Sequence, residues 1–148
     1  MKSVSILTPT VDKRQEFLKF VAKGISNQDY KNIIEWVIID GTCSGQSNLE
    51  NVIQDIRKIK NIPNIVFIKQ DINRNNKVGS LRNILNEIAK GDILVNFDDD
   101  DFYFDKRVSH VVNKLQTSKK HLAVCSPMYM YDVDFKYLFK FGIKGGFF

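Results

Sequence analysis

Apolar residues along the chain fall in short runs separated by stretches with helical spacing. Residues 4–8, Val-Ser-Ile-Leu-Thr, read as a strand closed by Pro9. Phe17, Leu18, Val21 and Ile25 then recur at three- and four-residue steps, which predicts a helix capped by Asp12, with Gly24 near its end. Residues 33–39 are a β-branched run stopped by the turn pair Asp40-Gly41. Leu49, Val52, Ile53, Ile56 and Ile59 mark a second helix, closed before Pro63. Residues 65–68 form a third strand, and a polar stretch follows at 71–76. Val78, Leu81, Ile84, Leu85 and Ile88 define a third helix, with Gly91 as its C-terminal cap. Residues 93–97 are a fourth strand running into Asp98, Asp99, Asp100 and Asp101. Val108, Val111, Val112 and Leu115 give a fourth helix, and residues 122–125 a fifth strand.

Regular alternation of strand and helix predicts an α/β fold: a doubly wound, mostly parallel, Rossmann-like sheet with helices on both faces. The strands are continuously apolar rather than alternating, as expected when both faces are covered. No internal repeat or linker interrupts the pattern, so residues 1–148 are expected to form a single domain.

Composition adds little to that picture but narrows the partners. The net charge of +5 comes from lysines and arginines spread along the chain, not from one basic block, so nucleic acid is not expected as a partner. Cys43 and Cys125 have neither metal-ligand spacing nor a disulfide framework, which fits a reducing compartment, and Cys125 is expected to be buried. The apolar stretch after Met1 is too short for a leader, and no run is long enough for a transmembrane segment. A cytoplasmic protein is expected.

Ligands of open α/β sheets bind beyond the carboxyl ends of the strands. Three polar groups stand at such ends: Thr8-Pro9-Thr10, Asp40, and residues 98–101. Four adjacent carboxylates repel one another unless a cation intervenes. In extended backbone Asp98 and Asp100 share a face, and such a pair of oxygens suits Mg or Mn while leaving coordination sites for substrate phosphates. The plainer alternative is a solvated acidic turn, with Asp101 capping the next helix. Asp40 reads either as a turn residue or as an acceptor for a nucleobase N–H or a sugar hydroxyl, with Thr8 adding contacts. Lys77 and Arg82, early in the third helix, make either an anion site or a basic surface. Neither a P-loop nor a dinucleotide-binding glycine pattern occurs, against an ATPase or a dehydrogenase.

These segments together resemble the nucleotide-sugar-binding part of GT-A glycosyltransferases of the inverting family 2 type. The similarity lies in Ser5-Ile-Leu-Thr-Pro-Thr10, Glu35-Trp-Val-Ile-Ile-Asp-Gly-Thr42, Lys77-Val-Gly-Ser-Leu-Arg-Asn83, and the stretch from Ala89 through Asp101 to Val108. The resemblance implies a UDP-sugar donor and a divalent metal, Mn or Mg. It implies that Asp40 binds the base beside Thr8, Pro9 and Thr10, and that Asp98 and Asp100 form the Asp-x-Asp metal pair. Asp98 would lie nearer the ribose, Asp99 would touch the donor sugar, and Lys77 and Arg82 would lie near the phosphates. Where many members carry further acids after the base-binding aspartate, this chain has Gly41 and Gly45.

An inverting transfer needs a general base, and the acids beyond the fourth helix are Asp132 and Asp134. Either is a candidate for it. The acceptor-side part expected downstream is short here, with residues 128–148 a partial segment of it, so truncation is one expectation. The alternatives to a transferase acting on an unknown acceptor are a nucleotide-sugar-binding module without transfer activity and a nucleotidyltransferase-like or phosphohydrolase activity. The tail is aromatic, and Lys136, Lys140 and Lys144 recur every fourth residue. It reads either as an amphipathic segment meeting a membrane or partner, with homo-oligomerisation possible through it, or as the start of an acceptor-side layer.

Overall fold

Two strands rich in apolar and β-branched residues, β1 (Val4–Thr10) and β2 (Ile33–Asp40), occupy the middle of a four-stranded parallel sheet. β3 (Asn64–Lys69) and β4 (Ile93–Asn96) complete the order β3-β2-β1-β4. This computed structural model describes residues 1–43, 47–70, 77–124, 128–132 and 134–141. The contacts divide the chain into two compact units, Met1–Asn113 and Lys114–Phe148, each described by itself.

The connections explain the layering. The chain steps from β1 to β2 to β3 in one direction, then crosses back over the sheet to place β4 on the far side of β1. Parallel crossovers are right-handed, so α1 (Gln15–Ser26) and α2 (Leu49–Ile56) lie on one face and α3 (Val78–Ile88) on the other. On the α3 side, Leu7, Val37 and Ile39 pack with Leu81 and Leu85. Alternation sends Ile6, Trp36 and Ile38 to the opposite face. α1 buries Leu18, Val21, Ala22 and Ile25, and α2 buries Leu49, Val52, Ile53 and Ile56. α4 (Arg107–Ser118) buries Val108, Val111 and Val112, and Gln28 caps it by accepting the Val108 N–H at 3.0 Å.

The four parallel strands and their flanking helices are those the periodicity predicts. Several details differ. Residues 12–14 form a 3-10 turn, and Asp12 does not cap α1; its Oδ1 accepts the Asn48 N–H at 2.6 Å. Phe17 is exposed, and Ile59 lies past the end of α2. Gly91 is not a cap either, since α3 closes at Ala89. Its role is close approach: its N–H donates to Ser5 Oγ at 2.8 Å, and an added Cβ would sit 2.5 Å from the Ser5 nitrogen. The expected fifth strand is absent over residues 122–124, which are irregular, with Leu122 and Val124 exposed. So short an apolar run becomes a strand only beside another strand, and among the described residues none pairs with it. Cys125 lies outside the described residues, as do Gly45, Lys144 and the polar stretch at 71–76.

In the second unit, β5 (Met128–Asp132) and β6 (Tyr137–Phe141) form an antiparallel hairpin. Residues 137–141, part of the lysine-spaced tail, are thus a strand. Asp132 Oδ1 closes the turn by accepting the N–H groups of Asp134 and Phe135, both at 3.0 Å. Tyr129, Tyr131, Tyr137 and Leu138 are exposed, with the Lys140 ammonium 5.9 Å from the Tyr129 ring centroid.

Gly91→Ala should destabilise the protein by about 1–3 kcal/mol, because the new methyl meets β1 backbone rather than a movable side chain. Urea unfolding measures this, and an unchanged midpoint would contradict the packing described.

Candidate functional site

The strand order reverses between β1 and β4, so the loops leaving these two strands diverge and open a crevice at their carboxyl ends. The acidic run leaves β4 at that point. Its backbone is positioned by buried partners. Thr8 Oγ1 receives the Trp36 Nε1–H at 2.9 Å and donates to the Phe97 carbonyl at 2.7 Å. Phe97 is buried and stacks on Tyr103, with ring centroids 3.8 Å apart. The Tyr103 phenol accepts the Asp98 N–H at 2.6 Å and donates to Asp101 Oδ2 at 3.3 Å. Burial raises the pKa of this phenol, keeping it a neutral donor. Burial, reinforced by the Asp98 and Asp100 charges, likewise raises the Asp101 carboxyl above the ordinary range.

The four carboxylates are not equivalent. β4 ends at Asn96, and Asp99 and Asp100 stand in a turn, so strand alternation does not extend through the run. Asp98 is held by Arg82, whose Nη2 donates to both its oxygens at 2.6 and 2.8 Å. Asp99, 2% exposed, accepts the Thr10 hydroxyl at 2.7 Å and Arg14 Nη1 at 2.9 Å. The same Arg14 nitrogen donates to Asp100 Oδ2 at 2.9 Å. Its hydrogen bond and charge pairing with Asp99, then the Asp100 charge, raise the Arg14 pKa.

Asp40, at the end of β2, is 1% exposed. Its Oδ1 accepts the N–H of Thr42 at 2.8 Å and the Thr42 hydroxyl, whereas its buried Oδ2 has no hydrogen-bond partner among the described residues. A buried carboxylate oxygen without a partner is costly and calls for a ligand. Gly41 lets Leu81 pack close beside it, since an added Cβ would lie 2.6 Å from Leu81 Cδ1 and the leucine would have to move. Pro9, Thr10, Val11, Arg14, Val78, Leu81 and Asp99 line a cleft of about 210 Å³, apolar along its walls and charged at one end. A second cleft of similar volume lies on α2, among Glu50, Ile53, Gln54, Arg57 and Phe67.

The fold therefore brings Thr10, Asp98, Asp99 and Asp100 together, and Pro9 lines the adjoining cleft. Arg82 reaches the acidic run, and Lys77 is exposed at the N-terminus of α3. Thr8 is fully buried and spent on Trp36 and Phe97. Asp132 and Asp134 belong to the hairpin turn. Arg14 and Tyr103 were not nominated by the sequence. Arg14 looks like half of a solvated Lys-Arg pair until β1 is placed beside β4, and Tyr103 is one aromatic among three between residues 102 and 104.

The chain belongs to Glycosyl transferase family 2, whose profile matches residues 5–142. A similar curated protein is the putative colanic acid biosynthesis glycosyl transferase WcaA of Escherichia coli, 29% identical over 106 residues. The match covers 72% of this chain and 35% of that protein. The fold is similar to S. aureus TarS residues 1–349, with a TM-score of 0.64 at 20% identity over 78% of this chain and 32% of that one. TarS 1–349 is also known in complex with UDP. The mannosyltransferase PcManGT from Pyrobaculum calidifontis, in complex with GDP-Man and Mn2+, gives a TM-score of 0.63 at 19% identity, over 77% of this chain and 32% of that one. The chain thus spans about a third of the relatives it matches.

Tyr103→Phe should cost about 1–3 kcal/mol, since it strips the Asp98 N–H of its partner while keeping the ring stack. Thermal or urea unfolding reads the loss; wild-type stability in the variant would remove Tyr103 as a support of the acidic run.

Proposed function

We propose that this chain is the donor-binding core of a metal-dependent glycosyltransferase that takes a UDP-linked sugar. The observation that carries the reading is the buried Asp40 Oδ2, without a hydrogen-bond partner among the described residues, at the carboxyl end of β2 near the cleft where the acidic run emerges. Uracil carries a ring N–H that such an oxygen can accept. Pro9, Val11, Val78 and Leu81 offer a flat base apolar walls. Arg14, Arg82, Lys77 and the first N–H groups of α3 offer cations and donors to a diphosphate. The complexes of TarS with UDP and of PcManGT with GDP-Man and Mn2+ support a nucleotide-sugar donor and a divalent cation.

The donor set suits the cation in its chemistry. Asp98 and Asp100 are part-exposed carboxylates, hard oxygen ligands of the kind Mg and Mn prefer. Among the described residues no group of three acidic, histidine or cysteine side chains is placed to hold a metal, so substrate phosphates would complete the shell. A cation bound there supplies positive charge to the leaving diphosphate. Asp99, anchored by Thr10 and Arg14, lines the cleft, and that supports a contact with the donor sugar.

Calorimetry with UDP and Mn should give metal-dependent binding that Asp100→Ala abolishes. Asp40→Ala should weaken UDP by about tenfold, or about 1.4 kcal/mol. Folded protein that binds no UDP with Mn present defeats the UDP form of the reading, and GDP tested alongside decides whether another base is taken instead. Asp100→Ala binding with unchanged metal dependence would move the cation elsewhere.

A further inference from the structure

Arg14 stands on the 3-10 turn that leaves β1, and it touches the acidic run through Nη1 alone. Its two partners differ in how firmly they hold it. Asp99 is buried, and losing Arg14 would leave its charge out of water with only the Thr10 hydroxyl. Asp100 is half-exposed, with Arg14 its one ion-pair partner among the described residues, and an exposed pair of this kind is weak and easily exchanged. Arg14 also lines the cleft, and among the described residues no bond to its Nη2 or Nε is seen.

We propose that Arg14 is an exchangeable counter-ion, a positioning residue that couples metal binding to diphosphate binding; this rests on the donor-site reading above. Without a donor, Arg14 neutralises Asp99 and Asp100 together. When a nucleoside diphosphate and a divalent cation arrive, Arg14 yields Asp100 to the cation. It keeps its bond to Asp99 and turns its remaining N–H groups to the phosphates, for which the planar guanidinium is suited. A cation arriving alone must compete with Arg14 and gives it no new partner. A cation arriving with a diphosphate meets no such penalty. Each ligand therefore tightens the other by the same factor.

The test uses the 148-residue protein, with free Mn followed by paramagnetic resonance and UDP by calorimetry, each in the absence and presence of the other. In the wild type, UDP should tighten Mn, and Mn should tighten UDP, by at least about fivefold. Arg14→Gln should bind Mn alone more tightly than the wild type and lose part of that mutual tightening, the part that remains coming from the direct bond between phosphate and cation. A purely structural role predicts the opposite for Mn alone, because a distorted site weakens every ligand. Arg14→Lys keeps a cation beside Asp99 but not the bridging geometry, and it carries the test if the glutamine variant does not fold; it should lie between the two. Mn-alone affinity and coupling equal to wild type in the variant that folds would overturn the exchange while leaving the donor site standing. A wild type whose UDP binding ignores Mn would overturn the exchange and the metal part of the donor-site reading together.

Discussion

The constraint on which the site depends is the burial of the Asp99 charge. A carboxylate 2% exposed is tolerable only with strong partners at hand, and Asp99 takes both of its partners, Thr10 and Arg14, from the segment that leaves β1. That pairing ties the end of β4 to the end of β1 across the place where strand order reverses. The crevice that parallel topology opens there is therefore spanned by charged hydrogen bonds. Thr8, one pleat earlier, adds a second tie by joining Trp36 of β2 to the Phe97 carbonyl beyond β4.

The rest of the acidic run follows from this anchor. With Asp99 turned inward, Asp98 and Asp100 meet different arginines, one from α3 and one from the 3-10 turn. Among the described residues Asp101 has no such ion pair: burial raises its tendency to hold a proton, and the hydrogen bond from Tyr103 and the charge of Arg107 work against that. Asp40 lies at the neighbouring strand end with one oxygen satisfied and, among the described residues, one not. A site with partly neutralised acids and an unsatisfied buried oxygen is unfinished in the polar accounting that native interiors otherwise obey.

Much of this was legible in the sequence, and the exceptions have physical causes. The central strands were readable because residues 4–8 and 33–39 are apolar on both faces, which a two-sided parallel sheet requires. The helices were readable from spacing, although Phe17 fitted the spacing and still faces solvent. Residues 122–124 misled because a short apolar run does not reveal whether a strand lies beside it. Asp40 and the acidic run stood out as polar residues at strand ends, and topology alone brings such positions together. Thr8 stood out for the same reason and serves the core instead. Arg14 did not stand out at all. Its importance comes from β1 pairing with β4, a contact between segments some 85 residues apart that no local pattern encodes.

The central claim is that the carboxyl ends of β1, β2 and β4 form one site for a divalent cation and a nucleoside diphosphate. Anomalous diffraction from crystals grown with Mn and UDP tests it most directly. The account predicts a manganese peak bonded to an oxygen of Asp98 or Asp100, with the base lodged near Pro9 and Val11 and hydrogen-bonded to Asp40. A manganese peak away from both aspartates, or UDP seated in the α2 cleft beside Glu50 and Arg57, would contradict it.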